Sequence, residues 1–339
     1  MQMEKKIKIF FLLVGTTILV LLINNYGIDN VIINLEKTGW WITVIIGTWL
    51  GVYLLNTTAF ILILKAMNKR IPYREALSIS LSGFAINYIT PGINLGGEPY
   101  KIWALKSRIG LHPSVTSIVL YSMIHFLSSF IFWVIGIIII PFTIPMNSEL
   151  KYISMVILII SISGIAFFLS RHKNGIIQWL LRFINKIPFS QKIVSRLGIK
   201  EETPRIIDEQ IADLYNNKKK YFWSSLLIEV AARIAASLEF VFILWSIGLQ
   251  ITLTEAVLIN AFSSLMINIL FFMPMTLGVR EGSLFYIMDL LKYSPGVGIY
   301  VGLVNRLREL FWIIIGLAII QLRKDKTVIE NNSGYIEIS

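Results

Sequence analysis

The sequence has no cysteine, which removes disulfides, thiolate catalysis and most zinc or iron–sulfur chemistry. Its three histidines, His112, His125 and His172, stand apart from one another and from any carboxylate cluster, so no metal site is expected. No Walker loop occurs, so the sequence carries no ATP engine, and no cofactor is expected. Charge is sparse as well: charged residues make up 15% of the 339, against 55% hydrophobic. With a mean hydropathy of +0.71, that balance describes a multi-pass membrane protein. Apolar runs of roughly 20 residues recur, the length a helix needs to cross a bilayer. The net charge of +11 would suggest nucleic acid in a soluble protein. Here the basic residues sit at the ends of apolar runs, as orientation in a membrane requires, and no nucleic-acid partner is expected.

Between two of the runs lies Asn87-Tyr-Ile-Thr-Pro-Gly-Ile-Asn-Leu-Gly-Gly-Glu98, followed by Pro99 and Lys101. Unpaired backbone is costly in hydrocarbon, so such a break survives only inside protein or beside a wet cavity. Pro91-Gly92 ends one helix, Gly96-Gly97 permits close backbone approach, and Pro99 suits the first turn of the next helix. The stretch from Phe272 to Gly282 repeats the plan: Pro274 precedes Glu281 by seven residues, as Pro91 precedes Glu98. Leu64 and Glu75-Ala76 match Leu244 and Glu255-Ala256 at an offset of 180, which becomes 183 at the prolines. The chain therefore reads as a duplication.

The predicted fold is all-α and polytopic: about six full transmembrane helices plus two re-entrant broken-helix hairpins in inverted repeats. The spans fall at about residues 9–23, 40–64, 115–140, 152–169, 221–247 and 297–322. One transmembrane domain covers residues 1–322, with repeat one at about 40–140 and repeat two at about 221–322. Residues 171–220 read as a basic cytoplasmic linker, amphipathic near residues 174–182, and 323–339 as a disordered cytoplasmic tail. With both termini cytoplasmic, residues 65–70, 101–108, 171–220 and 323–326 all fall inside, as the positive-inside rule asks. The second span then runs inward and its mate, the fifth, outward. Inverted repeats with discontinuous helices are a secondary-transporter plan.

Ionisable residues inside a membrane cost about 2.5–3.5 kcal/mol each, so each wants a partner or a task. Glu229 and Arg233, four apart, can pair along one helix face, and Arg308 and Glu309 can offset each other locally. Arg280 and Arg306 have no such neighbour at i±4, while Glu281 points to another side. Salt bridges that fix helix packing are one reading of this set; a polar cavity holding an anionic head-group is the other. The residues expected to contact that head-group are Asn87, Pro91, Gly96, Gly97, Glu98, Lys101, Arg233, Arg280, Glu281 and Arg306. Glu98 and Glu281 also stand where a helix dipole favours a carboxylate, so capping explains part of their presence. His125 reads as a packing residue in preference to a proton relay.

The paired stretches, Asn87 through Pro91-Gly92 to Gly96-Gly97-Glu98-Pro99-Tyr-Lys101 and Leu105, with Pro274 through Gly278-Val-Arg280-Glu281-Gly282, resemble the flippase-like membrane domain of lysylphosphatidylglycerol synthases. The resemblance covers about residues 7–322 and implies a cell-membrane protein that moves or handles a lipid. Bifunctional relatives carry a soluble aminoacyl-transferase domain after the membrane part. Only 17 residues follow Leu322, so lysine transfer by that route is not expected. Many relatives carry an acidic–basic pair where this chain has Tyr121-Ser122.

The expected function is a lipid translocase, not an enzyme, acting on an anionic phospholipid or a polyprenyl-phosphate-type lipid. The alternatives are an intramembrane head-group transferase, with Glu98 or Glu281 as base, and a non-catalytic subunit of an envelope-lipid biosynthesis complex. A homo-oligomer or a biosynthetic enzyme is the expected protein partner.

Overall fold

Two turns of the chain are built alike. After Ala66 the backbone passes through Asn68 at φ 55°, and the Lys69 amide returns to Leu64 O at 2.8 Å. After Ser246, Gly248 takes φ 85° and the Leu249 amide returns to Leu244 O at 3.0 Å. Both are left-handed caps that satisfy the orphan carbonyls of a helix end. They are 180 residues apart (248 − 68, 244 − 64), the offset seen in the sequence.

The computed structural model describes residues 27–89, 97–170, 202–271, 273 and 276–333, together with 17, 20, 21 and 24. Eleven helices make up the described residues, with no strand among them. The first six are α1 (Ile28–Thr38), α2 (Trp41–Ala66), α3 (Tyr73–Ile89), α4 (Gly97–Ile109), α5 (Leu111–Thr143) and α6 (Ser148–Ser170). After α7 (Glu202–Asn216) come α8 (Lys219–Ser246), α9 (Leu253–Ile269), α10 (Val279–Leu290) and α11 (Pro295–Ser333). The lengths 26, 17, 13 and 33 of α2 to α5 recur as 28, 17, 12 and 39 in α8 to α11. Burial recurs too: Ile63, Leu64, Ala76 and Ile79, and their mates Ile243, Leu244, Ala256 and Ile259, are all at most 1% exposed.

The longest contact is between the equivalent helices α2 and α8, and it runs antiparallel. Lys218 Nζ donates to Ala66 O at one end, Ser225 Oγ to Ala59 O at 3.0 Å further along, and Trp41 stacks on Phe242 at the other end. Each short helix before a break then packs on the long helix of the other half: α3 on α11, α9 on α5. Ser82 Oγ reaches Gly316 O (3.3 Å) in the first crossing and Trp133 Nε1 reaches Ser264 Oγ (3.4 Å) in the second. The halves are thus interleaved, with α2 and α8 as mates of opposite direction.

By length and composition α2, α5 and α6 can cross a membrane. At 28 and 39 residues α8 and α11 have the length, with ionised side chains in their interiors. The first expected span and the amphipathic stretch near residues 174–182 lie outside the described residues, apart from single positions of the span. Two expectations change. Within the linker, α7 is a helix docked on the bundle, because Ile207, Ile211 and Leu214 fall on one face at i, i+4 and i+7 and bury against Leu120, Ile124 and Leu127. Beyond Leu322 the helix continues to Ser333, since residues 323–333 contain no glycine or proline to stop it. At the foot of α7, the Asn217 amide bond and then Lys218 hold the Asp213 carboxyl below its usual range, so this contact persists at neutral pH and is lost on acidification below about pH 4.

With no native cysteine, crosslinking reads this geometry cleanly. Oxidation should join Ala59→Cys to Ser225→Cys and leave Ala59→Cys with Val241→Cys unjoined. The opposite pattern would mean that α2 and α8 run parallel.

Candidate functional site

The first break is closed by Asn87. Its Oδ1 accepts the Gly97 amide at 2.7 Å, a donor that the start of α4 would otherwise leave orphaned, and its Nδ2 donates to Glu98 Oε1 at 3.3 Å. Only glycine fits at position 97, because a Cβ there would lie 2.2 Å from Gly83 O. Glu98 also faces Lys101 Nζ at 3.5 Å, and the two side chains keep 30% and 16% of their surface exposed. The second break is closed differently: Glu281 Oε2 accepts the Gly278 amide at 3.0 Å, capping α10, while Oε1 takes Arg306 Nε at 2.7 Å. Glu281 therefore caps the helix start beside it, whereas at the first break the cap is Asn87, to which Glu98 is bonded.

Around Glu281 stands a network of three carboxylates and three guanidiniums. Arg280 meets Glu309 at 2.7 Å, Arg306 meets Glu281, and Arg308 grips Glu239 through two bonds of 2.9 and 3.0 Å. Trp49 Nε1 donates to the same Glu239 at 2.7 Å, and its ring lies under the Arg308 guanidinium, 3.7 Å from Cζ. Arg308 Nη1 touches Glu309 at 3.7 Å, and Arg306 Nη1 reaches Tyr88 OH at 3.4 Å. Glu239, Glu281, Arg308 and Glu309 are all buried. The charges of the six sum to zero.

A second cluster surrounds Glu229, which is buried ten residues before Glu239 on α8 (239 − 229). At 1.5 Å per residue the two acids are ~15 Å apart along the axis, with Arg233 between them. Tyr121 OH donates to Glu229 Oε1 at 2.7 Å and His125 Nδ1 lies 2.8 Å from Oε2. Arg233 Nε donates to Ser128 Oγ (2.8 Å), and its Nη2 to His125 O (2.9 Å) and to His125 Nε2 (3.2 Å). His125 is half-exposed at 46%.

The predicted residues thus divide. Asn87, Gly97, Glu98 and Lys101 meet at the first break; Arg280, Glu281 and Arg306 join the second network; Arg233 belongs to the cluster on α8. Pro91, Gly96 and Pro274 lie outside the described residues. Two expectations are corrected. Arg280 and Arg306 do have protein partners, supplied by a helix crossing and therefore invisible at i±4. Glu229 and Arg233 both turn to His125 on α5 in place of pairing along α8. Tyr121, His125, Trp49 and Tyr88 were not singled out as contacts by sequence. The one signal for His125 is its polarity inside an apolar run. Among the described residues no group of three metal-ligating side chains exists. Beside the second break an apolar cavity of about 420 Å³ opens among Phe262, Met266, Leu270, Met273, Val279 and Tyr286.

The second network and the first break differ in what a lost charge should cost. Glu239→Gln orphans a buried guanidinium and should lower stability by about 3–5 kcal/mol. Glu98→Gln breaks a half-open pair and should cost about 1 kcal/mol or less. Denaturant unfolding in detergent measures both, and equal losses would contradict the division.

No curated protein and no solved structure matches the chain. The family model described as "Lysylphosphatidylglycerol synthase TM region" matches residues 8–317. With its helical architecture and two charged breaks, the chain belongs to the family of lysylphosphatidylglycerol synthase transmembrane regions, whose function concerns membrane lipids.

Proposed function

We propose that the chain is a cell-membrane lipid translocase that moves an anionic lipid, a phospholipid or a polyprenyl-phosphate-type carrier, between leaflets without altering it. Each break would then be a re-entrant hairpin, and both termini would be cytoplasmic. The observation that carries the reading is the contrast between the two clusters. Six ions of the second network neutralise one another in close pairs, and four of the six are buried, which suits a frame. Glu98, Lys101 and Arg233 have long or neutral partners, which suits groups that exchange partners with a head-group.

Lys101 and Arg233 are the cations in that open set. A phosphate oxygen can replace Glu98 on Lys101, or the neutral ligands His125 O and Ser128 Oγ on Arg233, at little loss of pairing, because charge-assisted bonds are roughly twice as strong as neutral ones. The same exchange at Arg308 would break a buried two-bonded pair. Arg280, Glu281 and Arg306 accordingly hold the geometry, and Asn87 and Gly97 shape the approach. The apolar cavity beside the second break has the lining that hydrocarbon prefers, in keeping with a substrate that has a lipid tail.

Purified protein in liposomes, offered fluorescent phosphatidylglycerol and phosphatidylcholine analogues, tests the proposal. Phosphatidylglycerol should move faster, and Lys101→Gln or Arg233→Gln should slow it about tenfold, the cost of roughly 1.4 kcal/mol, with helical content unchanged. Chemical conversion of the probe would favour the transferase. Failure to move either lipid would overturn translocation.

A further inference from the structure

The contacts of His125 fix its protonation. Arg233 Nη2 lies 3.2 Å from His125 Nε2, and a guanidinium can only donate. Nε2 is therefore the accepting nitrogen, and the ring proton sits on Nδ1, directed at Glu229 Oε2 2.8 Å away. His125 is a neutral imidazole held in one tautomer. A second proton has only Nε2 to go to, where it would confront the N–H of Arg233. Two donors do not share that distance, so protonation must part them. The imidazolium remains with Glu229, and Arg233 turns to another acceptor.

The surroundings offer little else. From α4 the charged groups are Glu98 and Lys101, engaged with each other. From α8 they are Glu229 and Arg233, and Tyr121 shares α5 with the imidazole. α2 has no charge between Trp41 and Leu64, α6 none beyond Lys151, and α9 none beyond Glu255. α7 packs on the Leu120–Ile124–Leu127 face, where Asp208 is its buried acid.

The duplication sharpens the point. His125 and Arg308 are 183 residues apart (308 − 125), the offset that relates Glu98 to Glu281. Both bind a buried glutamate of α8, Glu229 and Glu239 respectively. One half thus places a permanent cation at this position. The other places an imidazole, which a proton converts from neutral to cationic.

We infer that His125 Nε2 is a proton-binding site coupled to the occupancy of Arg233: the proton detaches Arg233 from the imidazole and frees it for a phosphate-type anion. Proton and anion then bind together, and their joint passage carries no net charge for a monoanion. The proton enters from water on one side and leaves to water on the other. Coupling is reciprocal, so the anion raises the proton affinity of His125 by the factor that the proton raises anion affinity. The anion part rests on the translocase reading above; the His125–Arg233 switch does not.

With three histidines in the chain, imidazole nitrogen spectra of the protein in nanodiscs are tractable. His125 should show the Nδ1–H tautomer at high pH. When acid protonates it, the Arg233 Nε–H resonance should shift in the same transition. A titration that leaves Arg233 unmoved, or no titration, overturns the switch. In liposomes a pH gradient should speed phosphatidylglycerol movement in one direction about tenfold in the native chain and not in His125→Gln. Movement indifferent to the gradient in the native chain overturns the coupling. A linked titration without lipid movement upholds the switch and overturns the translocase reading beneath it.

Discussion

An acid buried among packed helices needs a hydrogen-bonding partner, and α8 carries two such acids at two levels. Each receives its partner from a different helix: Glu229 from His125 of α5, and Glu239 from Arg308 of α11. That requirement orders the molecule. α5 and α11 must both lie against α8, one at each level, so α2 can meet α8 only along the remaining face. There Trp49 completes the shell of Glu239 with one hydrogen bond and a ring beneath the guanidinium. A single ion left uncompensated at this depth costs about 2.5–3.5 kcal/mol. An alternative packing of these helices would orphan several at once, which disfavours it more strongly than any apolar contact could.

The sequence makes local and periodic features legible and leaves the crossings dark. The caps at Asn68 and Gly248 follow from the Leu64 and Leu244 register, and the breaks from proline and glycine clustered between apolar runs. Those features predict helices, breaks and a duplication, and the all-α architecture agrees. The pairs Arg280–Glu309 and Arg308–Glu239 span 29 and 69 residues (309 − 280, 308 − 239), beyond any i±4 rule. Glu229 and Arg233 satisfy that rule in sequence and ignore it in space, because a third side chain stands between them. The docking of α7 was legible in principle: Ile207, Ile211 and Leu214 have the period of a buried face. The high charge of residues 171–220 masked it.

The ionisable side chains at the two breaks and along α8 fall into two sets of different character. In the network at the second break every cation is an arginine, and each has a carboxylate within 3 Å. Buried pairs of that kind stabilise little relative to an apolar core, yet opening one is expensive because it leaves a charge without water. A network with that property resists rearrangement, so it is suited to holding two interleaved halves in register and unsuited to binding and releasing a ligand. The open set has the opposite composition: Lys101 and the half-open Glu98 on α4, the His125 imidazole on α5, and Arg233 of α8 on neutral ligands. Pairs that solvent reaches are worth about 1 kcal/mol or less, so exchange among partners there costs little. Substrate release sets an upper bound on how tightly any one group holds a head-group. Several weak, replaceable contacts meet that bound where one closed arginine pair would exceed it, and of the two sets only the open one is composed that way.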